Sequence, residues 1–313
     1  MILALCLNCS LDTRYTVPGF RAGAIHSVPP PSVTAGGKGL NLARVAAQLG
    51  AEVTALGLVG ERELDFFTAA MAAQGVQPRF TPVPVPSRRC LNIVDPRGDA
   101  PTEILEQGWP VSAEYLDAVL GLAEELAPQA SVICASGSVP PGLPADAYAR
   151  LGKLARKFGR PFILDARGEH LQQGLRGLPF AVKPNRAELE AWAGTPLQTE
   201  LDIAAALCRL VREGTELAVV SLGAEGAMAV GQGRLWRVRP PRVQAVNTVG
   251  SGDAFAAGLA VGLERNLPLA EVLALACASG TANALHPETG HVDRKALADL
   301  LPRIEISAKE VSR

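Results

Sequence analysis

The sequence predicts an α/β protein: a mostly parallel sheet sandwiched by helices, with a small β-sheet set apart as a lid. Three observations carry that expectation. Short apolar runs of strand length alternate with helical-period segments over most of the 313 residues, and repeated β-then-α units close into a parallel sheet covered on both faces. Glycine- and charge-rich motifs fall directly after those runs, where ligands bind in such sheets. Two segments, about 12–35 and 79–106, interrupt the alternation with short β patterns broken by proline and glycine.

In chain order, residues 2–7 read as a first buried strand. Residues 13–35 are polar and weakly β, with Pro29, Pro30 and Pro31 as breakers. After the glycines at 36–39, Leu42, Val45, Ala46 and Leu49 recur at helical spacing, and Gly50 stops the helix. A buried strand at 53–59 and a helix at 61–74, ended by Gly75, follow. Residues 79–106 hold short strands at 80–85, 90–94 and 102–105 and read as an insertion outside the βα pattern. Alternation then resumes with helix 112–127, strand 131–135, helix 144–157, strand 161–165, a short helix at 168–175 and strand 179–183. Helices at 186–193 and 199–213 lead to strand 216–221 and a two-strand β segment over 227–239. Helices at 253–264, 269–285 and 293–300 finish the chain. One domain is expected over 1–313, its lid formed by about 12–35 and 79–106.

Composition narrows the function classes. The chain is 48% hydrophobic and 19% charged, enough for a sizeable core and unlike a disordered chain. A net charge of −1 and 4% aromatics supply neither the electrostatic footprint nor the stacking surface of a nucleic-acid binder. No run reaches the ~18–20 apolar residues of a membrane span, and the N-terminus has no basic flank or cleavage site. A cytoplasmic protein with no nucleic-acid or membrane partner is expected. Cys6 and Cys9 form a C-x-x-C, but at the end of an apolar strand, with no second pair at metal spacing and no nearby histidine. With the four other cysteines in apolar runs, all six read as reduced small hydrophobes.

Several motifs carry chemistry. Between Asn247 and Gly258 a β-prone run enters the turn Gly250-Ser251-Gly252 and a small-residue helix leaves it. Such a turn points N–H groups one way at a positive helix terminus, a place to hold a phosphate. Asp253, in the first helical turn, reads either as an acidic cap or as a base beside an anion hole. Gly36-Gly37-Lys38-Gly39-Leu40-Asn41 is a second glycine turn before a helix. Its spacing fails the Walker A pattern, because Ser32 stands where the first glycine belongs and Gly39 follows the lysine. Three glycines in four positions favour backbone approach to a ligand over mere turning.

Arg88 opens a strand of the insertion and suits phosphate, or is a surface charge. Ser136-Gly137-Ser138 offers two hydroxyls after a buried strand, or a β-turn. Lys183-Pro184-Asn185 with Glu188 places an amide and a carboxylate three apart at a helix start. That pair suits Mg²⁺ held through water beside nucleotide phosphates, and equally a capping box. Asp165 ends a strand and is a further candidate.

Taken together, the Gly-Gly-Lys-Gly-x-Asn and Val-Gly-Ser-Gly-Asp-Ala motifs resemble the paired signatures of the ribokinase-like (phosphofructokinase B) family of carbohydrate kinases. The likeness runs from about residue 2 to about residue 306, with Asn8-x-x-x-Asp12, the Arg88 strand, Ser136-Gly-Ser, Lys183-Pro-Asn185 and Ser221-Leu-Gly-x-x-Gly226 in the family's order. The chain is similar to the branch of 1-phosphofructokinases and tagatose-6-phosphate kinases. Residues 34–41 and 102–108 look closest to the latter and 182–190 to the former. Arg89-Cys90 stands where many 1-phosphofructokinases carry x-Asn after the phosphate-binding arginine.

The resemblance implies ATP and Mg²⁺ as cofactors, a sugar phosphate as acceptor and a homodimer through the lid. It implies that Asp253 is the base for the accepting hydroxyl and that Gly250, Ser251 and Gly252 hold the charge on the transferred phosphoryl. Asp12, Gly37 and Asn41 would bind sugar hydroxyls, and Lys38, Arg88 and Ser138 would lie near the existing phosphate. Lys183, Asn185, Ser221, Gly223, Gly226 and Asn283 would flank ATP, and Glu188 would organise Mg²⁺ through water. Asn247 stands where the family often has Asp, beside a monovalent-cation site. The expected reaction is phosphoryl transfer to tagatose 6-phosphate, fructose 6-phosphate or fructose 1-phosphate. The alternatives are a kinase of an unphosphorylated sugar or nucleoside, which has no need of Arg88, and a non-catalytic sugar-phosphate binder, which has no need of a base.

Overall fold

The computed structural model describes residues 1–98 and 102–311. The first apolar run forms β1 (Ile2–Cys6), buried along its whole length. It passes through the turn at 7–9 into β2 (Ser10–Thr16), and the chain returns as β3 (Ser32–Gly36). Helix α1 (Lys38–Gln48) starts directly after Gly37, whose φ of 108° needs a residue without a side chain. Then come β4 (Val53–Gly60), α2 (Leu64–Ala72), β5 (Val76–Val83), β6 (Arg88–Val94) and β7 (Thr102–Leu105). The alternating stretch gives α3 (Ala113–Leu126), β8 (Val132–Ser136), α4 (Ala147–Lys157), β9 (Phe162–Asp165), α5 (Glu169–Gly174) and β10 (Ala181–Val182). It continues with α6 (Arg186–Ala193), α7 (Glu200–Arg212), β11 (Leu217–Ser221), β12 (Ala227–Gly231) and β13 (Arg234–Arg239). The chain closes with α8 (Ser251–Glu264), α9 (Leu269–Ala284), α10 (Arg294–Leu300) and β14 (Glu305–Glu310).

Ten strands form one sheet in the order β14-β13-β12-β11-β10-β9-β8-β1-β4-β5. Pairing is parallel from β5 through β11 and antiparallel from β11 to β14. Alternate residues of β1 feed different cores: Ile2, Ala4 and Cys6 pack on one face, Leu3 and Leu5 on the other. That is why a parallel strand reads as a continuous apolar run. The first face is covered by α1, α2, α8 and α9, the second by α3, α4 and α7. Helix α8 is buried from Asp253 to Gly262, and its small residues let α9 approach closely. A Cβ at Gly258 would lie 2.6 Å from Ala276 Cα. The packing fixes α8 with its N-terminus at the strand ends.

The second sheet has four strands in the order β3-β2-β6-β7, with β2 and β6 parallel. The segment 79–106 does not lie wholly in it. Residues 79–83 belong to β5, which pairs parallel with β4 from Val53↔Val76 to Gly60↔Val83 and completes an ordinary βαβ unit with α2. Pro78 and Pro82, which give this stretch its broken look, are tolerated because β5 is the sheet edge, where a missing N–H costs no ladder bond. The small sheet takes only β6 and β7 from that segment, and residues 99–101 lie outside the described residues. Nor does the chain end in helices. Strand β14 pairs with β13 and is polar and exposed over most of its length, so no apolar period announces it.

Candidate active site

The C-terminal ends of the parallel strands and the small sheet together line one cleft of ≈ 1700 Å³. A single small-molecule site occupies roughly 300–1,000 Å³, so two substrates fit side by side. Arg88 and Asp12 contribute from the small sheet, Ser221, Gly223 and Gly226 from the end of β11, and Gly250, Ser251, Gly252 and Asp253 from the start of α8.

Gly250 caps α8 with a φ of 82°. A Cβ there would lie 2.7 Å from Thr289 Cγ2 and 2.9 Å from the Gly290 nitrogen, so only glycine fits. The first N–H groups of a helix have no intrahelical partner; here the Ser251 N–H is taken by Thr248 O at 3.2 Å, and Gly250 and Gly252 line the cleft on either side of it. A Cβ on Gly252 would sit 3.5 Å from Lys183 Nζ, which places an ammonium group over the turn. The Asp253 side chain is 6% exposed. Its Oδ2 accepts from Asn41 Nδ2 at 2.8 Å, so among the described residues it bonds across to α1 and not to its own helix. Burial, reinforced by Asp165, pushes its carboxyl up to about 6 against the pull of Lys38, Asn41 and Lys183. A carboxylate poised near neutral pH suits proton abstraction better than a capping role.

Beside it lies a buried ionic cluster. Asp165 at the end of β9 and Lys183 after β10 are 1% and 3% exposed and stand 3.4 Å apart. Ser136 Oγ donates to Asp165 Oδ2 at 3.2 Å, while Oδ1 has no hydrogen-bond partner. Burial drives the Asp165 carboxyl upward, but Lys183 and Lys38 outweigh it and hold it below the usual carboxylate range. Lys38 Nζ reaches Asp165 Oδ1 at 3.7 Å and Glu188 Oε1 at 3.9 Å. Asp165 holds the Lys38 ammonium protonated well above the ordinary lysine range. Lys38 therefore turns toward the carboxylates behind β9 and β10. Asn185 and Glu188 do form the capping box, each bonding the other's backbone N–H at 2.9 Å. Glu188 caps through Oε2 and faces Lys38 through Oε1, so both roles read from the sequence are open to one side chain.

At the small-sheet end, Ser10 Oγ donates to Asp12 Oδ1 at 2.6 Å, and burial raises the Asp12 carboxyl. A Cβ at Gly36 would overlap that carboxyl at 2.1 Å, which explains this glycine of the turn. Arg88 donates from Nε to Asn8 O at 3.0 Å and from Nη1 to Glu106 O at 3.1 Å. Gly37, Asn41 and Ser138 also line the cleft.

Asn283 does not line it. Fully buried on α9, it donates to Val249 O and Ser251 Oγ and accepts from the backbone of Gly290 and His291. It braces the Gly250 turn from behind, with its amide already engaged by Val249, Ser251, Gly290 and His291. Asn247 is also engaged, donating to Pro287 O at 3.0 Å. Sequence reasoning missed Arg44, which donates to Asn41 Oδ1 at 3.1 Å and so orients the amide that holds Asp253. Its place three residues after Asn41 on α1 is the only signal in the sequence. His286, Glu288 and His291 lie close enough to suggest a metal. Their imidazoles stack face to face at 3.7 Å, however, and His286 Nδ1 accepts the Glu288 N–H, so the nitrogen lone pairs do not converge.

Among the described residues no helix is long and apolar enough to cross a membrane. A model of the pfkB family carbohydrate kinases matches residues 7–296. Phosphofructokinase-2 from Escherichia coli, solved with potassium, is 27% identical over 96% of this chain and 98% of that one, with a TM-score of 0.89. The same enzyme solved with fructose-6-phosphate is 25% identical, with a TM-score of 0.87 over 96% and 98% of the two chains. A possible 1-phosphofructokinase from Thermotoga maritima shares the fold at 22% identity, covering 99% of this chain and 100% of that one with a TM-score of 0.90.

Proposed function

The chain belongs to the pfkB family of carbohydrate kinases, and from that premise we propose that it transfers the γ-phosphoryl group of ATP to a hydroxyl of a ketohexose phosphate in the cytoplasm. The acceptor is tagatose 6-phosphate, fructose 6-phosphate or fructose 1-phosphate, each giving a ketohexose bisphosphate. One observation carries the reading: a buried, near-neutral carboxylate stands beside a glycine anion turn in a cleft with room for two substrates.

Phosphoryl transfer asks little covalent chemistry of the protein; it asks for position, charge neutralisation and one proton acceptor. Asp253 takes the proton of the accepting hydroxyl as its oxygen bonds to the γ-phosphorus and the bond to the β–γ bridging oxygen breaks, releasing ADP. The N–H groups of the Gly250 turn and the Lys183 ammonium meet the charge gathered on the transferred oxygens. Base assistance of this kind contributes roughly 10²–10⁴ in rate. Oδ1 of Asp165, which lacks a hydrogen-bond partner, and Oε1 of Glu188 form an all-oxygen donor pair, facing Lys38, that would hold hydrated Mg²⁺ where the ammonium now stands. Bound there, Mg²⁺ supplies further neutralisation of the phosphates. Arg88 and Asp12 take the acceptor, and Ser221, Gly223 and Gly226 take the nucleotide.

A turnover panel with the three ketohexose phosphates and the matching free sugars, run with ATP and Mg²⁺, tests the reading. Turnover of at least one phosphorylated sugar far above the free sugars is expected. Arg88→Ala is expected to raise KM for that acceptor much more than KM for ATP. Preference for a free sugar, or equal effects of the Arg88 variant on both substrates, would overturn the assignment.

We also propose that the small sheet carries a homodimer contact. Ile104 and Leu105 on its edge strand β7 are 51% and 56% exposed, and Trp109 beyond them 54%. Edge strands with exposed apolar residues are templates for pairing. Sedimentation equilibrium should give a dimer that Leu105→Lys dissociates; a wild-type monomer at micromolar concentration would remove the proposal.

A further inference from the structure

Asn8 lies in the turn where β1 of the large sheet runs on into β2 of the small one, and it is 7% exposed. No chemistry of the reaction falls to it, yet its polar groups join three separate segments. Its side-chain Nδ2 donates to Gln107 O and to Ser138 Oγ, both at 2.9 Å. Gln107 follows β7, where the chain leaves the small sheet for good. Ser138 belongs to the loop after β8. The Asn8 carbonyl accepts from Arg88 Nε at 3.0 Å. With Nη1 spent on Glu106 O and Cys90 Sγ, Nη2 is the end of the guanidinium with no protein partner among the described residues. The fit is close: a Cβ at Gly108, where φ is 96°, would come within 2.8 Å of Asn8 Oδ1.

We infer that Asn8 is a positioning residue: it seats the small sheet on the large one and sets the separation of Arg88 and Ser138, and so the affinity for the acceptor. The inference rests on the reading of Arg88 and Ser138 as the acceptor-phosphate end of the cleft. Two segments of the small sheet, β2 and the exit of β7, meet the large sheet at this one side chain. Without its amide, Gln107 O and Ser138 Oγ lose their shared donor, and the two groups are no longer held at a fixed distance. Misplacement by about 1 Å costs up to ~10²-fold in a positioned reaction. The nucleotide end, built on β11 and α8, has no bond to Asn8.

The test measures both KM values for Asn8→Ala, for Ser138→Ala and for the double variant. Asn8→Ala is expected to raise KM for the acceptor on the order of 10-fold and to leave KM for ATP within about 2-fold. The two substitutions are expected to be non-additive, because each breaks the same bond. Asn8→Leu keeps the approximate size, removes the amide donors without adding charge and should show the same split if the alanine variant folds poorly. Equal rises in both KM values, additive effects with Ser138→Ala, or a lowered Tm with unchanged kinetics would overturn the inference. The acceptor used is whichever one the wild-type chain phosphorylates. A chain that turns over only free sugars would overturn the sugar-phosphate reading, while the KM split on that sugar still decides the role of Asn8.

Discussion

Asp253→Asn is expected to lower kcat at least ~10²-fold while leaving KM for ATP nearly unchanged. The amide keeps the size of the carboxyl and an oxygen for Asn41 Nδ2, but cannot take the proton of the accepting hydroxyl. The same variant should be more stable than the wild type. Burial pushes the Asp253 carboxyl up to about 6 from 3.8, and at about 1.4 kcal/mol per pK unit the ionised form costs the native state on the order of 3 kcal/mol. The sign follows from proton counting. Between the unfolded value near 4 and the folded value near 6 the native state binds more protons, so this group makes stability fall as pH rises through that window. The gain of the asparagine variant is therefore full above about pH 6 and vanishes near pH 4. Wild-type kcat/KM should fall as pH drops through about 6, because the base must be ionised. Denaturant melts at pH 4 and pH 8, with a pH–rate profile, check all three. Near-wild-type turnover would remove the base assignment, and a less stable variant at pH 8 would show that the carboxylate is not the strained group its burial implies.

Much of this arrangement is legible in the sequence because its causes are local. Gly36, Gly37 and Gly250 each sit where a side chain would strike Asp12, Cys6 or Thr289, and a run of glycines beside a lysine or an aspartate announces such a site. The inner parallel strands are legible because both faces of each are apolar. What escapes has a non-local cause. Pro78 and Pro82 argue against a sheet strand until β5 is known to be an edge, and edge position is a property of the whole sheet. Strand β14 has no apolar face to display. Lys38 lies in the motif tied to the acceptor phosphate, yet its long side chain swings to Asp165 and Glu188, more than a hundred residues on. Asn283 reads as a polar residue near a nucleotide, and only packing shows its amide consumed by the Gly250 turn and the loop at 290. The same limit hides the partnership of Asp165 with Lys183, which depends on β9 and β10 lying side by side.

That partnership carries the second large effect. Lys183→Met is expected to destabilise the protein by roughly 3–5 kcal/mol, the cost of stripping one member from a buried ion pair. Asp165 would keep only the Ser136 hydroxyl and the Lys38 ammonium, 3.7 Å away on a side chain 42% exposed, so the lower end of that range applies. Against a typical total of about 5–15 kcal/mol the loss is large. It should shrink in acid. Asp165 is held below its ordinary value in the native state, so its contribution is present above the unfolded value near 4 and lost as pH falls through the folded one. Without Lys183 the carboxyl protonates more readily and the penalty relaxes sooner. Turnover should fall on the order of 10²-fold as well, since the ammonium over Gly252 would no longer meet the charge on the transferred phosphoryl. Asp165→Asn in the Lys183→Met background separates the two roles. Removing both charges leaves no buried ion unpaired, so stability should largely return, while turnover stays low because the Lys183 cation and the Asp165 carboxylate assigned to Mg²⁺ are both missing. If the double variant recovers turnover together with stability, Lys183 serves only to neutralise Asp165, and the charge on the phosphoryl group must be met by the glycine turn and the metal without it.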